Sequence, residues 1–87
     1  MDFSAQSNIS FIKQKIDDLE KMTDHDNPYT RIVFSDKFYE ARSWLKNEYH
    51  KLGLLVSTDD AGNLIGLLKP NIDTQKVVII GSHIDTV

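Results

Sequence analysis

The run Lys76-Val77-Val78-Ile79-Ile80 constrains this chain more than any other stretch of it. Four consecutive β-branched apolar residues favour extended backbone, because two heavy atoms on Cβ restrict χ1 against a helical turn. Without polar alternation, both faces of such a strand need cover. Strands of that kind lie in the middle of a sheet with helices on both sides, so the run predicts an α/β architecture with a buried central strand. The chain has 87 residues, 40% of them hydrophobic, which is one small domain at most. It has no cysteine, so neither disulfides nor thiolate-bound metal can supplement the core.

Helices able to cover the strand are legible upstream. Ile9, Ile12, Ile16 and Leu19 draw one apolar stripe that Met22 continues. With Ser7 as N-cap and turn formers from Thr23 to Pro28, the spacing predicts a helix over 7–22. A second helix is expected over 36–52. Ser35 stands at its N-cap, Asp36 complements its dipole, and Phe38, Ala41, Leu45 and Leu52 share a face. Gly53 occupies the position after the last turn, where left-handed backbone is needed. Two short apolar runs follow, Leu54–Val56 and Leu64–Leu68, on either side of polar residues and Gly62. They read as a β-hairpin, with a further turn at Lys69–Asp73 before the apolar strand.

Ten basic against thirteen acidic residues give a net charge of −3. That balance argues against nucleic acid or an anionic membrane as partner. The absence of a ~20-residue apolar span and of a leader-like start gives a cytoplasmic expectation. Eleven of the thirteen acids lie in residues 1–60, so the ionisable groups near the end stand out.

There, Gly81-Ser82-His83-Ile84-Asp85-Thr86-Val87 follows directly on the apolar run. In open α/β sheets ligands bind at the carboxyl ends of strands. Residues i and i+2 of an extended segment point to one side about 6.6 Å apart, so His83 and Asp85 share a face. A carboxylate so placed can take one imidazole N–H and leave the other ring nitrogen for a metal or a proton. The same pair also suits the plain polar end of a strand.

Other polar residues have simpler readings. Asp24-His25-Asp26 has ligand chemistry but lies among turn formers and reads as solvated loop. His50 stands where a cation favours the helix dipole, and Asn63 where a hairpin needs turn hydrogen bonds. Tyr39, Trp44 and Tyr49 sit at helical spacing and read as packing. Arg31 either lies near the site or pairs with an acid.

Taken in order, Thr30–Ser35, Glu40–Leu45, Gly53-Leu54, Asp60–Gly66 and Gly81–Val87 resemble the start of the hydantoinase/carbamoylase amidases. These belong to a dinuclear-metal superfamily with aminoacylases and carboxypeptidase-G-like exopeptidases, and the similarity covers about residues 28–87. The resemblance implies that residues 1–87 are the N-terminal segment of a zinc-exopeptidase-like catalytic domain. The remainder of that domain and the usual second, dimerisation domain would lie outside it. His83 would be the first protein ligand of one of two divalent metals, zinc or manganese, and Asp85 the catalytic-site carboxylate that orients it. The bridging aspartate, paired glutamates and further histidines of such sites have no counterpart here. Catalytic zinc typically takes three protein ligands plus water, so this chain alone is expected to be inactive. The implied activity is hydrolysis of a linear C–N bond in an N-carbamoyl-L-amino acid, allantoate or related ureido acid, by a homodimer. The alternatives are an aminoacylase or dipeptidase of the same superfamily and, from another class, a non-catalytic folding or association module.

Overall fold

A computed structural model describes residues 8–69 and 76–86. Helix α1 spans Ile9–Glu20 and α2 spans Asp36–Lys51; strands β1, Leu55–Thr58, and β2, Leu64–Leu67, follow. Ser7, Val87 and residues 70–73 of the expected second turn lie outside the described residues.

Helix α2 forms as its sequence predicts. The Ser35 hydroxyl accepts from the Phe38 N–H at 3.3 Å and donates to the Ile32 carbonyl at 2.6 Å, so it satisfies one orphan donor while fixing the entering loop. At the other end the Gly53 N–H reaches the His50 carbonyl and the Leu54 N–H reaches the Tyr49 carbonyl. These two bonds make a Schellman cap, which puts Gly53 at φ 76°, a conformation that carries no Cβ penalty for glycine.

The hairpin β1–β2 is antiparallel, pairing Leu55 with Leu67, Val56 with Gly66, Ser57 with Ile65 and Thr58 with Leu64. Asp59 builds its turn. One carboxylate oxygen accepts from the Ala61 and Asn63 N–H groups at 3.0 and 2.8 Å, and the other accepts from the Asn63 side-chain amide at 2.9 Å. Asn63 therefore does the turn work read from its position. Helix α2 packs across the hairpin. Among the described residues the buried apolar side chains are Met22, Phe38 and Ala41, with Phe38 edge-on to Phe34 at 5.8 Å and to Tyr39 at 5.5 Å.

Helix α1 departs from expectation. Its N-cap is Asn8, whose side-chain oxygen accepts from the Phe11 N–H at 3.0 Å, and the helix stops at Glu20, two residues short of Met22. None of its residues is buried, and the apolar stripe is largely open, Ile9 at 78% and Ile16 at 60% exposure. Polar contacts fasten it instead. Lys15 reaches Glu48 of α2 at 2.8 Å and lies over the rings of Phe11 and Trp44.

The expected buried central strand is not present. Residues 76–80 have no strand pairing, and Val77 to Ile80 are 71–93% exposed. The physical reason is that a central strand needs a hydrogen-bonded neighbour at each edge and a layer on each face. Among the described residues the hairpin is the only sheet and could flank one edge at most, and α2 is committed to the hairpin, so no second edge and no pair of covering layers is offered. After Gly81 the chain returns to the body of the molecule, and Ile84, Asp85 and Thr86 are half-buried.

Candidate functional site

The returning segment is held by a residue whose role the sequence left open. Arg31 is 7% exposed, yet its guanidinium is directed at main-chain carbonyls and not at an acid. Nε donates to the Ile84 carbonyl at 2.7 Å, and Nη1 to the Leu19 and Met22 carbonyls at 2.8 and 3.1 Å. Leu19 lies in the last turn of α1 and Met22 just beyond its cap, where the helix dipole favours a cation. Burial lowers the guanidinium from its ordinary value, but an arginine stays charged. The backbone completes the joint: the Thr86 N–H donates to the Arg31 carbonyl at 2.8 Å. The Thr86 hydroxyl accepts from the Arg31 N–H and donates to the Tyr29 carbonyl, both at 2.6 Å.

Beside this joint lies a cavity of about 240 Å³ between α2, the hairpin turn and residues 82–85. Phe34, Phe38 and Tyr49 give it apolar walls, and Arg42, Asn63 and His83 give it polar ones. Arg42 is fixed by a 3.3 Å hydrogen bond to the Gly62 carbonyl and by stacking over Tyr39 at 4.9 Å. His83 and Asp85 line the same cavity, so the fold brings together the two site residues read from the sequence.

Their contact differs from expectation in one respect. His83 Nδ1 lies 2.9 Å from the main-chain carbonyl oxygen of Asp85, and the Asp85 carboxylate is further away at 3.4 Å. The carbonyl, not the carboxylate, is the main partner. Because a carbonyl only accepts, Nδ1 carries the proton, and in the neutral ring Nε2 then keeps its lone pair. The His83 side chain is 80% exposed, which leaves Nε2 accessible. Metal-binding histidines are commonly oriented this way, with the second ring nitrogen donating to a carbonyl or carboxylate. The residues thus fit a metal ion as one ligand with its orienting group. Among the described residues no three His, Cys, Asp or Glu side chains converge in a way that could hold an ion.

The remaining polar candidates keep their simpler readings. Asp24 accepts from the Asp26 N–H at 2.9 Å, a turn contact that holds its carboxyl below the usual range, and His25 is exposed. His50 is exposed in the last turn of α2. No described helix is long and apolar enough to cross a membrane.

No family model matches the chain, and no solved structure gives a significant match. Curated proteins do. The ureidoglycolate hydrolase of Oryza sativa subsp. japonica is 32% identical over 77 residues, covering 87% of this chain and 16% of that protein. The allantoate amidohydrolase of Bacillus subtilis (strain 168) is 31% identical over 86 residues, covering 86% of this chain and 21% of its own length. That of Escherichia coli (strain K12) is 40% identical over 58 residues, covering 67% of this chain and 14% of its own length. An N-carbamoyl-L-amino acid amidohydrolase of Geobacillus stearothermophilus also matches. The chain spans about a fifth or less of the relatives it matches. Within that short span it is a homologue of the allantoate amidohydrolases, ureidoglycolate hydrolases and N-carbamoyl-L-amino acid amidohydrolases.

Proposed function

We propose that this chain forms the first part of a metal-dependent amidohydrolase that cleaves a linear C–N bond in a ureido acid such as allantoate or an N-carbamoyl-L-amino acid. The observation that carries the reading is the homology to enzymes with those names; the chain also presents an exposed histidine, His83, whose Nδ1 faces a carbonyl oxygen. Names of this kind favour a ureido substrate over the N-acyl amino acid or dipeptide of the alternative reading.

In this proposal His83 Nε2 holds one of two divalent ions, zinc or manganese, and the Asp85 carbonyl keeps the ring turned outward by accepting the Nδ1 proton. A bound divalent ion supplies Lewis-acid polarisation of the scissile carbonyl and lowers the pKa of water. The Asp85 carboxylate, 3.4 Å from the ring, adds negative charge that strengthens the imidazole as a donor of electrons. Further ligands, the proton-transferring acid and a dimer partner come from a larger catalytic protein of which this chain is a segment. Without them the chain does not turn over substrate.

The test is metal analysis together with hydrolysis of allantoate and N-carbamoyl amino acids by that larger protein. His83→Ala is expected to lose one metal equivalent and the activity, and His25→Ala to keep both. Unchanged metal stoichiometry in the His83 variant refutes the assignment.

A further inference from the structure

We propose that Arg31 is the positioning residue for His83, setting which imidazole nitrogen is free. The inference deepens the reading of His83 as a ligand and rests on it for its functional meaning. Its geometry stands separately.

The imidazole orientation depends on one acceptor, the carbonyl oxygen of Asp85, 2.9 Å from Nδ1. Asp85 itself is flanked by the two residues that Arg31 holds. The guanidinium pulls the Ile84 carbonyl to 2.7 Å, and the Arg31 backbone is bonded twice to Thr86. The Asp85 carbonyl shares its peptide group with the Thr86 N–H, which the Arg31 carbonyl holds, and the guanidinium holds the peptide before it through the Ile84 carbonyl, so its direction is set from both ends. The other end of the guanidinium is anchored on the Leu19 carbonyl in the last turn of α1 and on the Met22 carbonyl just after it, so the joint is referenced to the end of that helix.

The backbone around Arg31 is correspondingly over-determined. Tyr29 and Phe34, two to three residues away on either side, both hold left-handed backbone, φ 64° and 66°, which a non-glycine residue keeps only when its surroundings impose it. Thr86 fixes the Tyr29 carbonyl, and the Ser35 N–H and hydroxyl both reach the Ile32 carbonyl.

A lysine at position 31 can keep the charge but not the fork that reaches Ile84 and the α1 end together, whereas methionine loses both. The experiment is ¹⁵N NMR of the histidine side chains in the metal-free chain, at a pH where imidazole is neutral, combined with amide exchange at Thr86 and far-UV circular dichroism. Wild type is expected to show His83 as the Nδ1–H tautomer. Arg31→Met is expected to move it toward the mixture of an unconstrained imidazole and to speed Thr86 exchange roughly tenfold or more, while α2 keeps its helical signal. Arg31→Lys should fall between. A retained Nδ1–H tautomer in Arg31→Met overturns the proposal. Should Arg31→Met unfold, Thr86→Val and Arg31→Lys decide in its place: the same tautomer drift supports the proposal, and an unchanged tautomer in both overturns it. Because no metal is used, failure of the ligand reading is separable. A tautomer that depends on Arg31 in a protein whose metal content does not depend on His83 upholds the positioning role and refutes the metal one.

Discussion

Replacing Gly66 by alanine tests how tightly α2 is seated on the hairpin behind the cavity. Gly66 faces Val56 in the ladder and has no left-handed backbone, so alanine is conformationally allowed there. Space is not available. An added Cβ lies 2.7 Å from Tyr49 Cδ2, 2.9 Å from Leu54 Cδ1 and 3.0 Å from Tyr49 Cε2. Carbon contacts are most favourable near 3.5–4.0 Å, so the neighbours must retreat by about 0.5–1 Å. The Leu54 methyl can swing aside, but the near edge of the Tyr49 ring moves only if the ring rotates into the cavity or α2 lifts. Overpacking of this kind costs about 1–3 kcal/mol, and the stiffer unfolded chain returns about 0.4–1 kcal/mol. The expected net loss is about 0.5–2 kcal/mol, read as a lower urea midpoint at constant m-value. Gly81→Ala is the control. Nothing lies within 4 Å of its Cβ, so it should be neutral or stabilise by up to about 1 kcal/mol. In a Tyr49→Ala background the Gly66→Ala penalty should largely vanish, giving a coupling of about 0.5–2 kcal/mol in the double-mutant cycle. A midpoint that rises for Gly66→Ala as it does for Gly81→Ala would refute the steric reasoning.

Two further expectations concern pH. The Asp59 carboxyl is held below its ordinary range, first by the Asn63 side-chain amide and then by turn N–H groups. Its contribution is therefore complete above the unfolded value near 3.9 and is lost as pH falls through the lower folded value. The Asn63 amide should accordingly stay protected at neutral pH and open only in acid. In Asp59→Ala that protection should be absent at every pH, and a profile matching wild type would contradict the turn assignment. Glu48 is likewise held low, chiefly by its hydrogen bond to Lys15, so the tie between α1 and α2 exists above the unfolded glutamate value near 4.3 and fails below the folded one. Glu48→Gln should speed amide exchange through Ile9–Glu20 while sparing α2, with high salt acting weakly in the same direction; equal loss in both helices would show that the pair does not hold α1.

Local chemistry was readable in the sequence, and long-range chemistry was not. Ser35 and Gly53 announce both ends of α2 because a cap acts within a few residues, and Asp59 to Asn63 announce the hairpin turn for the same reason. The α1 stripe promised burial that did not follow: periodicity states which residues share a face, not whether a partner is there to meet it. The apolar run misled in the same way, since Val77–Ile80 specify an appetite for cover that two helices and a hairpin do not supply. At the site, the His83–Asp85 spacing puts the two residues on one face, and both line one cavity. It could not tell a carboxylate from the carbonyl of the same residue, which differ by only 0.5 Å in reach. Arg31 left no sequence signal for its role, because its partners are main-chain carbonyls that every residue carries.

The joint between Arg31 and residues 84–86 also has a kinetic consequence. Its hydrogen bonds close loops of 53 and 55 residues, whereas the Arg42–Gly62 bond that ties α2 to the hairpin closes one of 20. Chain-closure entropy scales as (3/2)RT ln n, so the longer closure costs about 0.9 kcal/mol more and is offset only once α1 has formed the carbonyl end that receives the guanidinium. The expected order of assembly is α2 with its hairpin first and the His83 segment last. During synthesis, the helix–hairpin unit can form as soon as β2 has emerged, while the histidine stays unplaced until Thr86 has left the ribosome.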